Sequence, residues 1–109
     1  HWGSGPMAQK LFTLAPVTIA SGGTAQAITS STIYAAAVII EADSLNTGVG
    51  YVGDSSLTTT NGSGQLGVKD VYRLEATGGS ITQDLVLADI FVTSTQAGDV
   101  FRISYIKVR

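Results

Sequence analysis

Apolar and polar positions alternate with a period of two along most of this chain, and no segment sustains the 3.6-residue period of an amphipathic helix. The run 10–19 sets Leu11, Thr13, Ala15, Val17 and Ile19 on one face against Phe12, Leu14, Pro16 and Thr18 on the other. Pro16 has no N–H to give to a ladder, so it marks an edge strand or a bulge. A short strand is expected over 24–29. The run 33–42 is apolar on both faces up to Glu41. Its alanine triplet suits a helix, but Val38-Ile39-Ile40 favours a strand buried on both sides. A short, glycine-flanked strand is expected over 49–53, with Tyr51 in its middle. Over 68–76, Val68, Asp70, Tyr72, Leu74 and Ala76 alternate with Lys69, Val71, Arg73 and Glu75. Residues 84–93 open with a single helical turn or bulge near Asp84 and end in a strand at 90–93. In the last run, 100–108, Phe101, Ile103 and Tyr105 share a face opposite Arg102 and Ser104. The pattern slips at Ile106 and Val108, which predicts a bulge or a face covered by a partner.

Between these runs lie turn clusters: Ser21-Gly22-Gly23, Asn46-Thr47-Gly48, Gly53-Asp54-Ser55, Asn61-Gly62-Ser63-Gly64, Thr77-Gly78-Gly79 and Ala97-Gly98-Asp99. Turn signals at this spacing predict an all-β, antiparallel sandwich or barrel of about 7–8 short strands with negligible helix. At 109 residues the chain makes one domain. His1-Trp2-Gly3-Ser4-Gly5-Pro6 reads as an expression scar before a start at Met7, which leaves 7–109 as a single β-sandwich domain.

Composition narrows the chemistry. The only His and the only Trp fall in the scar, and there is no Cys. Thiol nucleophiles, imidazole general bases and zinc sites built on Cys or His are therefore removed. The expectation is a protein that is not an enzyme and that holds no cofactor and no metal. Hydrophobic residues make up 44%, which supplies an ordinary core, but charged residues only 13%, about half the usual share. Ser, Thr, Gly and Ala must then fill the surface, and such a surface on so small a domain favours a homo-oligomer. A net charge of -2 carries no basic footprint for nucleic acid and no polybasic patch for a membrane. The longest apolar run, residues 34–40, is far short of the roughly 20 residues that cross a bilayer.

Several short motifs have simple backbone explanations. Residues 48–53 and 62–67 both match G-x-G-x-x-G, but neither is expected to open a helix, which dinucleotide binding requires. Gly53-Asp54-Ser55-Ser56-Leu57 resembles the start of a serine-hydrolase block, yet no His lies outside the scar and Lys10, Lys69 and Lys107 stand in no evident serine–lysine context. The expected role of its Asp and Ser side chains is an Asx or ST turn, in which they bond nearby backbone N–H groups. Asp43, Asp54, Asp70, Glu75, Asp84, Asp89 and Asp99 could pair for glycoside hydrolysis or ligate calcium, but most fall in turns, where Asp serves the backbone. Tyr34, Tyr51, Tyr72 and Tyr105 could stack on sugars; in short strands tyrosine more often fills a core or an interface.

The block Asn46-Thr47-Gly48-Val49-Gly50-Tyr51-Val52-Gly53-Asp54-Ser55-Ser56-Leu57-Thr58-Thr59-Thr60-Asn61-Gly62 is more specific. It resembles the N-T-G-x-x-Y-V-G-D-S-S-V-T-x-x-N-G stretch of small virion structural proteins of tailed bacteriophages. Upstream, residues 23–28 resemble the G-T-A-x-x-L strand of that family. Downstream, residues 84–92 and Ala97-Gly98-Asp99-Val100 resemble its closing pair of strands. The likeness spans most of residues 9–108. It departs at 66–70, where the usual L-A-P-G-E-S turn is replaced, and in the longer final strand. The resemblance implies a β-sandwich or jelly-roll module, often trimeric, that decorates capsids, caps tails or forms parts of fibres.

The expected function is that of a non-enzymatic virion protein, a capsid decoration (cement) protein that binds and stabilises the assembled shell. The alternative is a tail or fibre module that attaches to host glycans. Expected partners are further copies of the chain, as a homotrimer, and the major capsid protein or another virion protein, within a virion made in the bacterial cytoplasm, with no nucleic acid or membrane and with glycan only under the alternative. The interaction surfaces are expected at 8–14 and 105–109. There Lys10, Leu11, Phe12, Leu14, Tyr105, Ile106, Lys107, Val108 and Arg109 mix apolar side chains with the few basic groups.

Overall fold

The computed structural model describes residues 8–76 and 85–108. The fold is all-β and antiparallel, with one three-residue 3-10 turn, Leu87–Asp89, among the described residues. One sheet contains β1 (Gln9–Thr13), β11 (Val100–Val108), β5 (Ala37–Ala42) and β8 (Val71–Glu75), in that order. The facing sheet contains β3 (Gln26–Ala27), β10 (Phe91–Ser94), β6 (Gly50–Gly53) and β7 (Ser63–Leu66). Three two-residue strands complete the set. β2 (Val17–Thr18) pairs with β11, and β4 (Tyr34–Ala35) pairs with β9 (Leu85–Val86). The described residues thus form eleven strands rather than seven or eight. Nine of them build the two facing sheets, five strands in one, counting β2 beside β11, and four in the other.

The pairing follows a simple rule. Gln9 opposes Val108, Ala27 opposes Phe91, Tyr34 opposes Val86, and Ala37 opposes Glu75. β6 then pairs with β7 around the turn 54–62. The chain is one long antiparallel hairpin with its apex near residue 58. This hairpin is rolled so that β11 also pairs with β5 and β10 with β6. That is a jelly-roll-like arrangement, in which successive rungs of the rolled hairpin, β1–β11, β3–β10, β5–β8 and β6–β7, fall alternately in the two sheets.

The core lies between the sheets. Val38, Ile40, Val92, Phe101 and Ile103 are almost wholly buried there with Ile19, Leu87 and Leu66. The alternation in β11 and β8 places Phe101, Ile103 and Tyr105, with Tyr72 and Leu74, on the inner face. Gly50 sits where a Cβ would fall 2.5 Å from the Phe101 ring, so the close approach of strand and ring needs glycine. Gly64 has φ +65 and also leaves room for the Tyr72 ring.

Four sequence expectations resolve in detail. Pro16 marks both an edge and a bulge. Thr13 opposes Ser104 but Val17 opposes Phe101, so one extra residue is inserted between β1 and β2. Residues 33–42 are not one strand. The chain bends at Ala36, sending β4 to β9 and β5 into the sheet, where Val38, Ile40 and Ala42 are buried inward and Ile39 and Glu41 half-buried outward. The bulge expected at Ile106 is absent, because β11 keeps an unshifted register with β1 and with β5. Arg102, Ser104, Ile106 and Val108 simply share the outer face, which turns apolar toward its end. The helical turn expected near Asp84 is found at Leu87–Asp89; Asp84 itself lies outside the described residues.

Candidate interaction surface

The structure brings the two predicted segments together although they are some ninety positions apart in sequence. β1 is the edge strand of its sheet and β11 is its neighbour. Lys10 opposes Lys107, Leu11 opposes Ile106, and Phe12 opposes Tyr105. Directly opposed residues share a face. Lys10, Phe12, Tyr105 and Lys107 therefore line the inner face, and Leu11, Ile106 and Val108 the outer one.

The two faces do different work. Phe12 and Tyr105 stack with ring centroids 5.2 Å apart and planes 9° from parallel. The Lys10 Nζ lies 5.0 Å from the Phe12 centroid, within cation–π range. Tyr105 is buried, and Phe12 and Leu14 pack partly buried against the core. Val108 is also buried. On the outer face Leu11 is 61% exposed, an unusual position for leucine on an open strand edge. Ile106 is half-buried beside it. Arg109 lies outside the described residues.

Of the carboxylates singled out in the sequence, Asp43, Asp54, Asp70 and Glu75 are each engaged by other groups of the chain, and Asp84 lies outside the described residues. Asp54 accepts the Ser56 hydroxyl at 2.6 Å and the Ser56 N–H at 2.9 Å, which is the expected Asx turn. Those two hydrogen bonds hold its carboxyl below the usual carboxylate range. Asp43 accepts the Leu45 N–H and pairs with Arg102 at 2.9 Å, and both contacts lower its pKa. Asp70 accepts the Gly67 N–H, and Glu75 pairs with Arg73. Asn61 completes the apex turn, accepting the Thr58 N–H and donating to the Ser56 carbonyl. A shallow polar groove of about 270 Å³ lies against that turn, between Asp54 and Asn61. A second, of about 230 Å³, lies beside Glu41, Asp43, Lys69 and Arg102. Among the described residues no three His, Cys, Asp or Glu side chains converge as a metal site.

One polar centre was not legible in the sequence. Asp99 is buried, and its carboxylate accepts the N–H groups of Thr47 and Gly48 and the Ser94 hydroxyl. Burial pushes its pKa up, but the Ser94 hydroxyl and the two backbone donors outweigh it and leave the group below its ordinary value. Next to it, Asn46 accepts the Val100 N–H and donates to the Val100 carbonyl, acting as a side-chain rung of the ladder. Both residues belong to glycine-containing turn clusters, which was the available signal. That the two clusters meet is a long-range fact.

Comparisons of the chain with protein-family models, with curated proteins and with solved structures give no match.

Proposed function

We propose that this protein is a non-enzymatic structural component of a phage virion, a decoration protein that binds and stabilises the assembled shell. The observation that carries the reading is the block 46–62, whose resemblance to virion structural proteins falls on the apex of the rolled hairpin. Its Asp54, Ser56 and Asn61 close that turn, so the shared residues serve the scaffold and imply the same kind of module. Jelly rolls recur in viral shells, which supports the reading at the level of the fold. The β1–β11 edge is the docking surface, and its partners are the major capsid protein and further copies of this chain. Many weak edge contacts, multiplied by copy number, supply the binding.

The test is co-sedimentation with empty capsids of the source phage. The expected result is retention at a fixed ratio to shell protein, with shells that resist heating to a higher temperature. Absence from the pelleted shells, with saturable binding to host cells or their glycans, would overturn it in favour of a tail or fibre role.

A further inference from the structure

We propose that the side of β1 away from β11 pairs antiparallel, about a two-fold axis, with β1 of a second copy of this chain. The inference rests on reading β1–β11 as an interaction surface and names what occupies its open side. Backbone N–H and C=O groups alternate sides along a strand. The Leu14 N–H donates to the Ile103 carbonyl across β11 at 3.0 Å, so Leu11 and Thr13 direct theirs to the open edge. No described strand pairs there.

The sequence of β1 is complementary to itself. In the two-fold register that overlaps all five residues, Leu11 faces Leu11 of the second copy on the outer face. Gln9 faces Thr13, a polar pair. On the inner face Lys10 comes opposite Phe12 of the second copy, and Phe12 opposite its Lys10. The same cation and ring already meet within the protomer at 5.0 Å. The second copy's lysine would flank Phe12 on the side away from Tyr105. A lysine on an edge strand ordinarily discourages pairing. Here the full register keeps the two lysines off each other, whereas a shift that centres the pair on Lys10 would oppose them.

The other edges fit less well. β3 has two residues, and β7 is interrupted by a register shift against β6. β8, paired with itself in full register, would set Arg73 against Arg73. Residue 11 also carries the apolar surface that such a pairing would cover. The resulting assembly is two-fold, with one sheet continuous through both copies, rather than three-fold.

The absence of cysteine makes the test direct. Leu11→Cys places a single thiol on the proposed axis, and a short bis-maleimide should link it into a covalent dimer. Leu45→Cys, at an 85% exposed turn position, and Val71→Cys, on the β8 edge, are the controls. Cross-linking at position 11 no greater than at position 45 overturns the proposal. Sedimentation equilibrium up to about 1 mM should show the mass rising toward twice 11.2 kDa. Leu11→Pro, whose missing N–H faces the open edge, should keep the unfolding temperature within a few degrees and stay at monomer mass. A wild-type monomer throughout, or a trimer that Leu11→Pro leaves intact, also overturns it. A monomer that still co-sediments with capsids removes the pairing and leaves the shell reading standing; a dimer that never does so has the opposite meaning.

Discussion

Asp99 ties two turns together through three donors, and its replacement is the sharpest residue-scale experiment. Asp99→Ala removes the acceptor of the partly buried Thr47 and Gly48 N–H groups and of the buried Ser94 hydroxyl. The expected loss is about 3 kcal/mol, read as a lower urea midpoint at unchanged slope. By contrast, the Arg73–Glu75 pair is exposed on both sides, and such pairs contribute little. The sequence showed Asp99 as a turn aspartate after Gly98. It could not show that the turn is roofed by the one containing Asn46, because the hydrogen bonds join residues about fifty positions apart.

At the scale of elements, β1 depends on which way each N–H points. Phe12 shares the orientation of Leu14, so its N–H faces β11. Phe12→Pro removes a ladder hydrogen bond and the ring stacked on Tyr105, and the expected cost is about 3 kcal/mol or more, measured by chemical unfolding. Leu11→Pro, one residue away, spares the ladder. The strand pattern was readable from alternation at β8 and β11 and from Pro16 at the bulge. It was not readable at 33–42, where an unbroken apolar run hides the bend at Ala36. Hydrophobicity is the same before and after that bend; only the hydrogen bonds change partner, with the Ala36 N–H donating to Ile106 and its carbonyl accepting from Ala76.

For the whole molecule, acid response follows from the carboxylates. Asp43, Asp54 and Asp99 all hold pKa values below their ordinary value in the folded state. The unfolded chain therefore binds protons more readily, and stability falls as pH drops. Their contribution is complete above the unfolded carboxylate range near 4 and is lost as pH falls through the lower folded values. The unfolding temperature should be level from about pH 7 to 5 and decline below about 4. Asp99→Asn should flatten part of that decline, which a calorimetric pH series would show. A decline centred near pH 6 would contradict the assignment, since only His1 would ordinarily titrate there.

The sequence alone determined that this is a β protein with short strands, because a two-residue period and glycine-rich turns are local properties of the chain. It also marked Pro16 as an edge or a bulge and the Asp54 segment as an Asx or ST turn, since both arise from the chemistry of one or two residues. Tertiary structure decided the rest. Only the rolled hairpin places β1 beside β11, buries Tyr105 and Val108, leaves Leu11 exposed, and makes β1 an edge. Those outcomes depend on which distant strands share hydrogen bonds. Alternation tells a strand that it has two faces, but not which neighbour will lie along each side.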